Sequence, residues 1–328
     1  MTVLVTGATG FLGSALVTEL LQQKQEEVRI LVRDAQKARK QFGADVQIIQ
    51  GEITNEEKVQ EAVYSATTIY HLAGRLYHPS TPAELYEQTH VEGTRILLKA
   101  CETQKLQRFI HCSTTGVLGA TGETPASEDA PFAPTNPYER TKLEGETLAL
   151  QAHRMNSIPV TVVRPGLVYG PGDLHLLNFF STIKKGIIPP LIDDGKAKIH
   201  PVYISDMTAA FLLSAERPEA IGHSYNIAGD HPVTFRELAT AMAHAMGKKL
   251  PPGSIPLSLA NFASDVFAML PGFKGENAPL TRSRVQFLTN SRVYSIERAR
   301  NDLDYEPKIG LEEGMKWTAA WYQKHGYL

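Results

Sequence analysis

Thr6-Gly7-Ala8-Thr9-Gly10-Phe11-Leu12-Gly13 sets three glycines at a G-x-x-G-x-x-G spacing between an apolar run, Val3-Leu4-Val5, and a stretch of helical periodicity. A strand feeding a helix through such a turn is the context that gives this spacing meaning. Gly7 would permit the tight turn, Gly10 would let the backbone approach a pyrophosphate, and Gly13 would let helix and strand pack closely. Free N–H groups and the helix dipole favour negative charge at that end. The loop, with Thr9, Phe11 and Leu12 between the glycines, reads as a dinucleotide cradle.

Outward from the loop, β-rich runs alternate with helical patterns. The runs are Val3 to Thr6, Val28 to Val32, Val46 to Gln50, Thr68 to Leu72, Phe109 to Cys112 and Val160 to Val163; helical stretches lie near 11–24, 35–42, 55–64, 83–104 and 137–155. Alternation of this kind predicts an α/β protein with a Rossmann-type doubly wound parallel sheet, its ligand beyond the carboxyl ends of the strands. We assign residues 1–165 to the dinucleotide-binding domain and 166–328 mainly to a smaller C-terminal α/β substrate lobe, with residues 200–230 returning to the first domain. Beyond 165 the pattern is irregular, with short strands at Val202 to Ile204 and Tyr225 to Ile227 and helices near 234–246 and 310–324. Residues 251–290 carry Leu257, Leu259, Phe262, Val266, Phe267 and Leu270 at loose helical spacing, which fits a helix packed on the small lobe or a lid or apolar wall of a substrate pocket.

A length of 328 residues and 42% hydrophobic content allow a sizeable core, and a net charge of −2 gives no reason to expect nucleic acid as a partner. A small-molecule substrate is expected instead. The only cysteines, Cys101 and Cys112, fall in a predicted buried helix and strand, so no disulfide scaffold is indicated and a reducing cytoplasm fits. No leader precedes the first strand and no run is long and apolar enough to span a bilayer, so no integral membrane segment is expected. No metal is expected either.

At the end of the second strand stands Val32-Arg33-Asp34. An acid there would bond the 2′-hydroxyl of NAD, whereas Arg33, aided by Lys37, suits a 2′-phosphate; NADP(H) is preferred and Asp34 leaves NAD(H) open. By position, Glu52 and Ile53 fall near the adenine, and Leu72, Ala73 and Gly74 beside the ribose and nicotinamide. His71 reads as a satisfied buried histidine.

Asn136-Pro137-Tyr138-Glu139-Arg140-Thr141-Lys142 opens the next long helix and puts Tyr138 and Lys142 on one face. A phenol with a pKa near 10 is a poor base at neutral pH, and an adjacent ammonium is expected to lower it, so that Tyr138 can exchange a proton with a carbinol oxygen. The fifth strand runs into Ser113-Thr114-Thr115-Gly116-Val117-Leu118-Gly119, a hydroxyl cluster able to orient a substrate oxygen.

This order of motifs resembles the extended short-chain dehydrogenases/reductases over nearly the whole chain. The matching stretches include Thr6 to Gly13, His71 to Gly74, Val91 to Thr94, Ser113 to Gly119, Tyr138 to Lys142, Arg164 to Asp173 and Pro201 to Asp206. The resemblance implies Tyr138 as acid/base, Lys142 as its electrostatic partner and ribose anchor, and Pro165 to Val168 beside the nicotinamide carboxamide. It puts the catalytic hydroxyl on Thr114, with Ser113 as fallback, and suggests a homodimer through the helices near 83–104 and 137–155. Two departures stand out: His90 where many members carry Asn, which questions an Asn-based proton relay, and Glu52 where Asp is usual.

Nucleotide-sugar members often carry Gly-x-Gln-x-Arg-Asp-Phe-x-Tyr, whose arginine binds a diphosphate. Here Gly195 to Tyr203 puts Ile199 in the arginine's place, which Lys196 or Lys198 compensates only in part. The tail from Pro279 to Gly314 resembles the dihydroflavonol-reductase-like and 3β-hydroxysteroid-dehydrogenase-like branch. The expected function is therefore an NAD(P)-dependent oxidoreductase acting on a keto or hydroxyl group of a small apolar substrate. The alternative is a nucleotide-sugar epimerase or dehydratase with tightly bound NAD.

Overall fold

Val3, Leu4 and Val5 lie at 0% exposure in β1 (Thr2–Thr6), and their alternation explains the layering. Successive strand side chains point to opposite faces, so Val3 and Val5 join one apolar cluster and Leu4 the other. The computed structural model describes residues 2–24, 27–78, 80–156, 158–186, 190–269 and 280–328.

Seven strands form one fully parallel sheet: β1, β2 (Glu27–Val32), β3 (Gln47–Gln50), β4 (Ala66–His71), β5 (Arg108–Cys112), β6 (Val160–Pro165) and, after four short strands given below, β11 (Ser224–Ile227). Their spatial order is β11-β6-β5-β4-β1-β2-β3, so the chain reverses direction beside β1. That reversal opens the crevice in which doubly wound sheets bind ligands.

The helices cover both faces. Leu16, Val17 and Leu20 of α1 (Phe11–Gln23) share the first cluster with Ala38 and Phe42 of α2 (Ala35–Phe42). The second cluster holds Val59, Ala62 and Val63 of α3 (Glu56–Val63). The predicted helix 83–104 is broken into α4 (Ala83–Glu87), a π-helical turn (Gln88–Glu92) and α5 (Gly93–Cys101). The long helix α6 (Pro137–Asn156) packs beside them and carries the Tyr-Lys pair.

The remaining short strands pair locally. β7 (Leu167–Tyr169) lies parallel to β10 (Pro201–Tyr203); β8 (Leu191–Ile192) lies parallel to β13 (Ser254–Ile255); β9 (Lys198–Ile199) lies antiparallel to β12 (Val233–Thr234). Helix α7 (Leu177–Lys184) precedes β8. The strand expected at Val202 to Ile204 stops at Tyr203, and Ile204 begins α8 (Ile204–Glu216), which returns to the sheet by burying Met207, Ala210 and Phe211. No side chain caps α8, so its start lacked the usual sequence mark.

Thr234 and Glu237 form a capping box that starts α9 (Phe235–Ala245). In the stretch 251–290, α10 (Leu257–Met269) buries Ala260 and Ser264 and leaves Leu259 and Phe262 exposed. Ala260 meets Val285 of α11 (Arg282–Thr289). Residues 270–279, and with them Leu270 and Pro279, lie outside the described residues. The tail adds α12 (Glu297–Leu303) and α13 (Leu311–Lys324). Cys101 and Cys112 are buried and unpaired. No helix among the described residues is long and apolar enough to cross a membrane.

Candidate active site

The glycine loop is a cradle that side chains would fill. Gly7 has φ +73°, and a Cβ there would fall 2.6 Å from the Leu72 carbonyl; at Gly13 it would fall 2.2 Å from the Gly7 oxygen. The end of β1, the start of α1 and the loop after β4 therefore close on one another. Gly10 caps α1 without any side-chain hydrogen bond, and the helix's backbone bonding begins with Ser14 N–H donating to Gly10 O at 2.9 Å. The amides of Phe11, Leu12 and Gly13 precede the first helical bond, and a helix N-terminus with such unpaired N–H groups suits a pyrophosphate. These residues fit a dinucleotide.

Asp34 is committed elsewhere: its carboxylate accepts from Lys37 N–H at 2.9 Å and caps α2. Arg33, exposed at the end of β2, makes no ion pair among the described residues. Glu52 is exposed, and Ile53 packs where a Cβ on Gly93 would come within 2.6 Å. Ala73 N–H donates to Thr6 Oγ1 at 3.2 Å, which ties that strand end to the cradle. Pro165 ends β6 and accepts from Thr115 Oγ1 at 3.1 Å, while Val168 sits half-buried on β7.

Tyr138 and Thr114 meet. The Thr114 side chain caps the short turn Thr115–Leu118, accepting from Gly116 N–H at 3.1 Å, and its hydroxyl bonds the Tyr138 phenol. Burial pushes that phenol well above its ordinary value, and the bond from Thr114 offsets this only in part. The expected lowering by Lys142 is not what the geometry gives. The Lys142 ammonium donates to Cys112 O, and burial in turn lowers its own pKa.

Ser113 does not join the pair. Its hydroxyl donates to Glu146 Oε2 at 2.6 Å, and Glu146 holds the buried Arg164 guanidinium at 2.5 Å. Arg164 also donates to Glu128 O at 3.0 Å. This bonded charge pair braces α6 against β6 one turn beyond Lys142.

The sequence reading missed Tyr86, which lies behind the phenol. Tyr86 is buried and accepts from His78 N–H at 2.8 Å, and its ring lies 6.2 Å from that of Tyr138. His71 Nδ1 lies 2.8 Å from Thr6 Oγ1 and its Nε2 2.9 Å from Thr94 Oγ1, so it is satisfied on both sides as expected. Burial and the Lys142 charge push its pKa down to about 3. His90 Nε2 accepts from Arg75 N–H at 3.0 Å, and its Nδ1 lies 2.8 Å from Thr141 Oγ1. Its pKa is down to about 2 for the same two reasons. Among the described residues, these histidines form no cluster able to hold a metal.

A glycine cradle, a hydroxyl and a Tyr-Lys helix along one sheet edge match a known pattern: residues 3–228 fit the model of the NAD dependent epimerase/dehydratase family. The chain belongs to that family. Among its relatives is a 3-beta-hydroxysteroid dehydrogenase of Mycolicibacterium neoaurum, 29% identical, the alignment covering 98% of this chain and 91% of the relative. Another is a 4-hydroxy-2-methyl-3-oxo-4-farnesyl-3,4-dihydroquinoline-1-oxide ketoreductase of Stigmatella aurantiaca, 28% identical over 96% of this chain and 95% of that one. In structure, the fold matches a UDP-glucuronic acid 4-epimerase from Bacillus cereus solved with NAD, with a TM-score of 0.79, 24% identity and 99% of each chain covered. The resemblance to extended short-chain dehydrogenases read from the motifs is borne out.

Proposed function

We propose that this member of the epimerase/dehydratase family is an NADP(H)-preferring oxidoreductase that reduces a ketone, or oxidises the matching alcohol, on a small apolar substrate. The observation that carries the reading is the half-buried Thr114–Tyr138 hydroxyl pair. A phenol whose pKa is pushed up keeps its proton at neutral pH, which suits an acid that donates to a carbonyl oxygen as negative charge develops there. Thr114 orients that oxygen, and Lys142 anchors the sugar hydroxyls beside it. The nicotinamide, when bound, supplies or accepts the hydride. Reduction is the favoured direction.

Arg33 carries the cofactor preference, because the Asp34 carboxylate is spent on capping α2. An apolar substrate is suggested by exposed apolar side chains in the segments that follow β4 and β7: Leu76 and Tyr77, then Leu174 and, on α7, Phe179, are 45–59% exposed. The related steroid dehydrogenase and farnesyl-quinoline ketoreductase have apolar substrates by name. Ile199, at 3% exposure, lies in the core rather than where a sugar nucleotide's diphosphate would need a cation. Free, buried Cys101 and Cys112 suit the cytoplasm. The division at residue 165 and a homodimer through α4 to α6 complete the proposal. That helix face is polar (Glu84, Glu87, Arg95, Arg140, Glu144), so sedimentation velocity should show a dimer that weakens as salt rises.

The test is to titrate NADPH and NADH separately by fluorescence and then screen apolar ketones and nucleotide sugars. NADPH should bind at least about tenfold tighter, and Arg33→Ser should reduce that margin to about threefold or less. Turnover of a UDP- or dTDP-sugar by protein that retains NAD through purification would sink the reading in favour of an epimerase.

A further inference from the structure

The π-helical turn Gln88–Glu92 inserts a residue between α4 and α5, a geometry that concentrates at functional sites, and it carries His90 inward to 2% exposure. His90 reaches two elements that share no strand or helix. Its Nε2 accepts the amide of Arg75, the residue that follows Leu72-Ala73-Gly74. Its Nδ1 lies against Thr141 of α6, and its ring meets the Tyr138 ring edge-on, with centroids 5.6 Å apart at 78°.

Hydrogen-bond accounting fixes the tautomer. Thr141 Oγ1 gives its one proton to the carbonyls of Pro137 at 2.9 Å and Tyr138 at 3.1 Å. The contact with His90 therefore needs an N–H on Nδ1, with the hydroxyl oxygen accepting. Nε2 is then left with the lone pair that the Arg75 amide requires, so both contacts call for the same neutral ring.

We propose that His90 is a positioning residue: its imidazole ties the loop after β4, which lies beside the cofactor, to the helix that carries Tyr138 and Lys142, and so fixes the spacing between nicotinamide and phenol. The inference rests on the dinucleotide reading above. Both ring nitrogens are occupied, so His90 holds geometry rather than carrying a proton.

Two substitutions separate the arms. His90→Gln puts a carbonyl near the Nε2 position and loses the donor to Thr141; His90→Asn keeps a donor near Nδ1 and loses the acceptor for Arg75. Hydrogen exchange at the Arg75 amide reads the link without cofactor. It should speed up about tenfold in His90→Asn and stay protected in His90→Gln. NADPH affinity, by fluorescence titration, should fall about five- to tenfold in His90→Asn and by less than about twofold in His90→Gln. Thr141→Val should lower kcat about fivefold with affinity retained.

Equal losses of affinity and Tm in both His90 variants would reduce the residue to core packing and overturn the proposal. So would a lost ionisation in the pH profile of His90→Gln at unchanged affinity, which would make His90 a proton carrier. Should neither His90 variant fold, an unchanged kcat in Thr141→Val overturns it. If wild-type protein binds neither cofactor, the proposed function fails, while Arg75 exchange still decides whether the link exists.

Discussion

Two neighbouring hydroxyls, Ser113 and Thr114, differ in what they bond. Ser113 sits at 3% exposure with its proton given to Glu146; Thr114 is half-buried beside the phenol. Thr114→Val should therefore lower kcat about 100-fold with NADPH affinity unchanged. Ser113→Ala should leave kcat within about threefold but cost about 1–2 kcal/mol of stability, because a buried carboxylate loses a donor. Steady-state kinetics beside urea melts read the pair; the reverse pattern would reassign the hydroxyl. Tyr138→Phe should lose at least about 100-fold in turnover while still binding NADPH.

At the scale of elements, what matters is how closely α6 lies against the π-helical turn. A Cβ at Gly145 would fall 2.5 Å from His90 O, so this glycine sets the distance between the helix carrying Tyr138 and the turn carrying His90. Gly145→Ala should push the two apart, with a cost of at least about 2 kcal/mol in urea unfolding and a fall in kcat larger than the fall in NADPH affinity. A stable, fully active Gly145→Ala protein would mean that the spacing is slack. That close approach falls where the predicted helix 83–104 is interrupted. Apolar spacing in the sequence reported only that the stretch was helical, not that one turn of it is π-helical.

Across the whole molecule, three neutral histidines lie together under Lys142. His71 and His90 hold pKa values near 3 and 2, and burial and neighbouring positive charge push His111 well down. Each takes up its proton readily in the unfolded chain, near 6.5, but not in the fold. Their contribution is thus complete above pH 6.5 and is lost as the pH falls toward the folded values, at about 1.4 kcal/mol per pH unit for each. Between pH 6.5 and 5, His71 and His90 together should remove about 3 kcal/mol, a large part of a typical stability. Urea midpoints at pH 7, 6 and 5 test this; a flat profile would show the rings protonated in the fold. The sequence marked His71 as a satisfied buried histidine, but not its approach to His90 and His111, because the three fall in separate elements and no local pattern brings them together. The strands, the glycine loop and the Tyr-Lys helix were legible, because alternation, a turn only glycine tolerates and a four-residue helical spacing are properties of neighbours along the chain. Sequence alone thus determined a parallel doubly wound sheet with a dinucleotide cradle and a phenol on the next long helix. Tertiary structure alone decided that Ser113 gives its proton to Glu146 and that Lys142 bonds Cys112 O, because partners about thirty residues away settle each of those competitions for a proton or a lone pair.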